Sequence, residues 1–102
     1  MKAAVLYGNR DLRYDDWETP VCRPGCVKVH VRATGICGSD VPRVLHNGAH
    51  FYPIVLGHEF SGDVVEVGEG VTSIQVGDTI SGAPLLPCMK CRDCMQGNYS
   101  LC

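Results

Sequence analysis

Four cysteines crowded into the last fifteen residues, Cys88, Cys91, Cys94 and Cys102, restrict this chain more than any other feature. Thiols this close in sequence do not staple distant segments, but tight turns can bring them onto one metal ion. Zinc held by four thiolates is tetrahedral, with Zn–S bonds of about 2.3 Å and no open position. Residues 84–102 are therefore expected to form a structural-zinc lobe, with Pro84, Pro87 and Gly97 supplying its bends. The competing readings are free thiols, a redox CxxC pair and a DNA-reading finger. A finger fits poorly, because no histidine follows and no flanking helix is rich in Lys and Arg. The total of seven cysteines is odd. That argues against a secreted disulfide scaffold and for a reducing, cytoplasmic location. Cys22 and Cys26 sit in a connector with Pro20 and Pro24, without a further ligand nearby, and read as surface or half-buried thiols.

Upstream of the lobe the pattern is that of short strands. Lys2 to Tyr7 and Leu12 to Asp15 flank the turn-rich Gly8-Asn9-Arg10-Asp11 and predict a hairpin. Val27 to Ala33 alternates apolar and polar without a fault, which predicts a strand with Val27, Val29, Val31 and Ala33 facing the core. Ser39 is placed to cap a helical turn through Leu45, stopped by Asn47-Gly48. Phe60 to Val67 reads as a β-branched strand, turned by Gly68-Glu69-Gly70, and Val76 to Ile80 as a turn into another short strand. At 102 residues the chain is expected to be one mainly β domain, 1–102, built as a partly closed β-barrel with short helices. A formal net charge of −2 leaves no footprint for nucleic acid or acidic lipid. No apolar run approaches a membrane-spanning length, so no membrane partner is expected. The opening Met1 to Tyr7 lacks the long apolar core of a signal peptide.

A second constellation lies between Gly35 and Gly62. Cys37-Gly38-Ser39-Asp40 is followed, after a polar and aromatic loop, by Gly57-His58-Glu59. Taken singly, Cys37 could be a small buried hydrophobe and His58 a satisfied core histidine. Together, cysteine, imidazole and carboxylate are the side chains that hold a catalytic zinc with one position left for substrate. The glycines beside them, Gly35, Gly38 and Gly57, give the backbone freedom that metal-bearing loops use. The stretch reads as half of a metal-dependent active site, with the other half outside the chain. The loop from His46 to Pro53 is suited to wall a pocket.

On these residues the chain resembles the zinc-dependent medium-chain alcohol and polyol dehydrogenases. Gly57-His58-Glu59-Phe60-Ser61-Gly62, with Gly68 and Val71, is similar to their zinc signature. Cys37-Gly38-Ser39-Asp40 is similar to their first ligand motif, and the four-cysteine lobe to their structural zinc. Within that family, residues 37–62 and 84–102 look most like the galactitol-1-phosphate dehydrogenase branch. The resemblance implies a GroES-like catalytic domain, normally followed by a Rossmann domain that binds NAD. Gly68 to Ser73 is not that domain's fingerprint, since the third glycine and the helix are missing. The chain is thus expected to be the N-terminal piece of a longer, homo-oligomeric enzyme and inactive by itself.

The resemblance also implies roles. Cys37 and His58 are zinc ligands, and Glu59 is one directly or through water, completed by a carboxylate beyond residue 102. Ser39 accepts the substrate proton, and Asp40 holds the His58 imidazole in its tautomer. Pro42 stands where many relatives have a relay histidine; His46, one turn later, is the nearest substitute. Arg43 stands where polyol relatives often have an aromatic residue, and its planar fork suits the oxygens of a sugar phosphate. His50, Phe51 and Tyr52 are candidates for the pocket wall. The implied activity is oxidation of a polyol or polyol phosphate, galactitol 1-phosphate first, by hydride transfer to NAD. Sorbitol or another alcohol is the alternative. A non-enzymatic, zinc-stabilised binding module is the rival of another class, and it would need only the closed zinc site.

Overall fold

The computed structural model describes all residues, Met1–Cys102. β1 (Lys2–Gly8) turns through Asn9-Arg10 into β2 (Asp11–Asp16), the expected hairpin, with Lys2 opposite Asp16 and Leu6 opposite Leu12. Arg10 sits at a φ of 64°, the left-handed conformation that so tight a turn demands. β3 (Val27–Thr34) pairs antiparallel with β5 (Phe60–Val67), and β5 pairs with the three-residue β6 (Thr79–Ser81). Asp63 ties all three strands. Its carboxylate accepts hydrogen bonds from Arg32 Nε on β3 (2.8 Å) and from Thr79 Oγ1 on β6 (2.9 Å). The Arg32 contact, seconded by Thr79, holds the Asp63 carboxyl below the usual carboxylate range.

The expected partly closed barrel is not what forms. With β4 (Ile54–Val55), the strands make two separate three-stranded sheets, in the orders β2-β1-β4 and β3-β5-β6, and no strand is shared between them. β4, at the edge of the first sheet, meets β1 at only two positions, Val5 opposite Val55 and Leu6 opposite Ile54. Pro53 before it has no N–H to donate, and Gly57 soon after it turns away at a φ of 123°. The ladder therefore ends before it can reach the other sheet.

The core is correspondingly thin. Val5, Leu6 and Val64 are the fully buried side chains. The radius of gyration, 15.7 Å, exceeds the roughly 13 Å usual for a domain of this length. The inward face expected for β3 is only partly covered. Val27 and Val29 are half-buried, whereas Val31 is 50% exposed and Ala33 is exposed. β3 is an edge strand, and its alternation places Val27, Val29 and Val31 beside an open cleft shared with Val21, Cys22 and Phe60. No helix is long and apolar enough to cross a membrane.

The helical segment after Cys37 is shorter and looser than an α-helix through Leu45. α1 is a single turn, Asp40–Pro42, and it passes into a π-helical turn, Arg43–Asn47. Gly48, at a φ of 73°, ends it by donating its N–H to the Arg43 carbonyl at 3.1 Å. Ser39 occupies the N-cap position without making a capping hydrogen bond. The loop that follows is clasped to the β1–β2 turn. Asn9 Nδ2 donates to the His46 carbonyl (2.9 Å), the Tyr52 hydroxyl donates to Asn9 Oδ1 (2.9 Å), and Ala49 N–H donates to the Tyr52 oxygen (3.0 Å).

Candidate metal centres

Pairing of β3 with β5 assembles the first centre. Thr34 lies opposite Phe60, so the residues just beyond β3 run beside those just before β5. Gly35 N–H donates to the Glu59 carbonyl at 2.8 Å, and Thr34 Oγ1 donates to the same oxygen at 3.1 Å. Cys37, His58 and Glu59 are thereby brought together, with one ligand atom from each lying within 4.8 Å of the others. Cys37 and His58 are half-buried and Glu59 is exposed, so the group has a dry side and a wet side.

Asp40 backs this cluster and is 93% buried, at 7% relative exposure. Its Oδ2 accepts the Cys37 N–H at 3.2 Å, while its own N–H donates to the Cys37 carbonyl at 2.9 Å. Its Oδ1 has no hydrogen-bond partner and lies 3.8 Å from His58 Nδ1. A buried carboxylate oxygen without a donor is costly. A small turn of the imidazole would give it the Nδ1 proton and leave Nε2 as a lone-pair donor, the tautomer a metal-binding histidine needs. The donor set fits a zinc ion: one cysteine sulfur, one imidazole and one carboxylate.

The second centre is the C-terminal lobe. Its four sulfur atoms all lie within 4.8 Å of one another, with Cys88 Sγ and Cys94 Sγ 3.9 Å apart. The edge of a tetrahedron with bonds of about 2.3 Å is about 3.8 Å, so these thiols already stand at zinc spacing. Met89, at a φ of 58°, bends the chain so that Cys91 N–H donates to Cys88 Sγ at 3.3 Å. α2 (Arg92–Met95) carries Cys94 inward, and a 3-10 turn over Tyr99–Leu101 brings Cys102 back to accept the Cys88 N–H at 3.4 Å. The N–H groups of Lys90 and Cys91 pull the Cys88 thiol down to about 6, whereas burial pushes Cys94 up to about 11. A cation is what would allow the buried Cys94 to ionise beside the other thiolates, so this donor set fits a closed zinc site as well.

Other expected site residues do not join either cluster. Ser39 is exposed next to Asp40. Arg43 and His46 are exposed on the π-helical turn, and His50 is exposed in the loop beyond it. Sequence reasoning passed over Thr34, Asn9 and the clasping role of Tyr52. Nothing local marks them, because their partners are 25, 37 and 43 residues away.

Comparison with known proteins is consistent with this geometry. The profile of the alcohol dehydrogenase GroES-like domain family matches residues 23–102. Galactitol 1-phosphate 5-dehydrogenase of Escherichia coli K12 is 53% identical over 76 residues, covering 74% of this chain and 22% of that protein. The crystal structure of galactitol-1-phosphate dehydrogenase from Escherichia coli superposes with a TM-score of 0.88 at 43% identity, covering 100% of this chain and 30% of that one. A protein described as a short chain alcohol dehydrogenase from E. coli CFT073, solved with the cofactor NADH, superposes with a TM-score of 0.88 at 38% identity, over 100% of this chain and 30% of its own. The chain thus spans between a fifth and a third of the length of these relatives.

Proposed function

The chain belongs to the alcohol dehydrogenase GroES-like domain family, and we propose that it supplies the metal-binding half of a dehydrogenase active site acting on a polyol or polyol phosphate. NAD is the hydride acceptor in this reading, held by a separate nucleotide-binding domain. The convergence of Cys37, His58 and Glu59 within 4.8 Å carries the proposal. Those three side chains would hold a catalytic zinc, and Cys88, Cys91, Cys94 and Cys102 a structural one. When bound, the catalytic ion supplies Lewis acidity that makes an alcohol proton easier to lose near neutral pH.

The chain's own groups do the rest. Asp40 fixes the His58 imidazole from the buried side, and Glu59 faces the solvent side, where substrate arrives. The Ser39 hydroxyl, free of any capping bond, takes the substrate proton. Pro42, on the next turn, has no group to pass it on, so the proton leaves through solvent or through His46. Arg43, exposed and without a carboxylate partner, is the group in this reading that meets a phosphate, by a bidentate contact. The similarity to galactitol-1-phosphate dehydrogenases makes galactitol 1-phosphate the first substrate to assay.

The test is a steady-state comparison in the enzyme that carries this domain, with NAD against galactitol 1-phosphate, sorbitol and a simple alcohol. Arg43→Ala is expected to raise KM about tenfold or more for the phosphorylated polyol and to spare the others. An equal effect on all three removes phosphate recognition from Arg43. No turnover of any polyol removes the substrate class.

A further inference from the structure

Resting on the metal-site reading above, we infer that Gly35 is a positioning residue whose missing side chain is the space that lets the Glu59 carboxylate reach the Cys37–His58 pair. The backbone does not call for glycine here. Gly35 is not among the residues with positive φ, unlike Gly57. Space is what it provides. A Cβ at position 35 would stand 2.5 Å from Glu59 Oε2 and 3.2 Å from Glu59 Cβ, and no other group is as near.

The two residues are also held together along the backbone. Gly35 N–H and Thr34 Oγ1 both donate to the Glu59 carbonyl, so the main chain of Glu59 cannot retreat without breaking two hydrogen bonds. The carboxylate end is free to move. A side chain at 35 therefore strikes the carboxylate hardest, at 2.5 Å, and presses the pinned Glu59 Cβ by only a few tenths of an ångström, so the carboxylate swings away while Cys37 stays in place. Carboxylate ligation in this centre is decided by a residue that has no ligand atom of its own.

Titration of the chain with cobalt(II), read through its d–d absorption, tests this. The phase lost in Cys37→Ser identifies the open site. In Gly35→Ala that phase is expected to weaken about 10–100-fold, the usual loss when a residue supporting a ligand is changed. Its band shape should match that of Glu59→Ala, with the four-cysteine phase unmoved. In a Glu59→Ala background, adding Gly35→Ala should change nothing further. Wild-type affinity and bands in Gly35→Ala overturn the inference, as does a loss that adds to that of Glu59→Ala. If Gly35→Ala unfolds, recovery of the fold on adding Glu59→Gly, which removes both the carboxylate and the Cβ in contact, supports the steric account, and failure to recover refutes it. Absence of any Cys37-dependent phase in the unsubstituted chain is a different result, which removes the metal-site reading itself.

Discussion

Replacing Cys94 with alanine is expected to remove one zinc ion per chain and the order of residues 84–102. Cys94 is the buried member of the four-thiol set, and α2, which carries it, is only four residues long. So short a helix has little stability of its own. What apolar packing there is lies elsewhere, because Leu85, Leu86, Met89, Met95 and Leu101 are all exposed. The lobe is left to its metal, and structural zinc sites are worth roughly 10 kcal/mol or more to small folds. Three thiols cannot supply that. Elemental analysis should show the lost ion. Hydrogen exchange should show fast amides at Gln96, Gly97 and Asn98, whose N–H groups now bond to the Arg92, Asp93 and Cys94 carbonyls. The β3–β5 ladder should keep its protection, because it shares no hydrogen bond with the lobe. Full metal content and slow lobe amides in Cys94→Ala would remove the closed site from the account. Cys22→Ala is the control, since its thiol only touches the Cys26 and Glu66 carbonyls.

The second large effect is expected from His58→Ala, measured as kcat/KM in the enzyme that carries this domain. Loss of the imidazole takes away one of three converging donors and leaves Asp40 buried with a still-unpartnered oxygen. Changes behind a ligand typically cost 10–100-fold, so loss of the ligand itself should cost more, about a thousandfold or greater. Asp40→Asn probes the same link more gently. It keeps the Cys37 turn but offers a different partner to Nδ1, and should give the 10–100-fold loss. If His58→Ala retains kcat/KM within a few fold, the imidazole is a core residue and no ligand.

The clustering of the metal-type side chains is legible in the sequence, and the sheet arrangement is not. Strand positions followed from local pattern: Val27–Thr34 and Phe60–Val67 are set by alternation and β-branching, and the hairpin by Gly8 to Asp11. The two donor clusters followed from residue type and spacing; the β3–β5 register brings Cys37, His58 and Glu59 together, and the turns around α2 gather the four C-terminal thiols. What escaped depends on contacts between distant segments. The barrel was over-read because strand count says nothing about whether edges meet, and Ile54–Val55 is too short to show any period. Val31 alternates like a core residue, yet it is 50% exposed. Gly35 reads in the sequence as backbone freedom for a metal-bearing loop; the position of the Glu59 carboxylate shows that a Cβ there would also collide with it.

The central claim is that the chain holds two metal ions in different surroundings, one closed by sulfur and one open. X-ray absorption at the zinc edge of the zinc-saturated chain tests it most directly. Four thiolates at the lobe and one at Cys37 predict two zinc ions sharing five sulfurs, an average of about 2.5 per ion, with nitrogen or oxygen neighbours making up the remainder. One zinc per chain with four sulfurs and no lighter neighbours would contradict it.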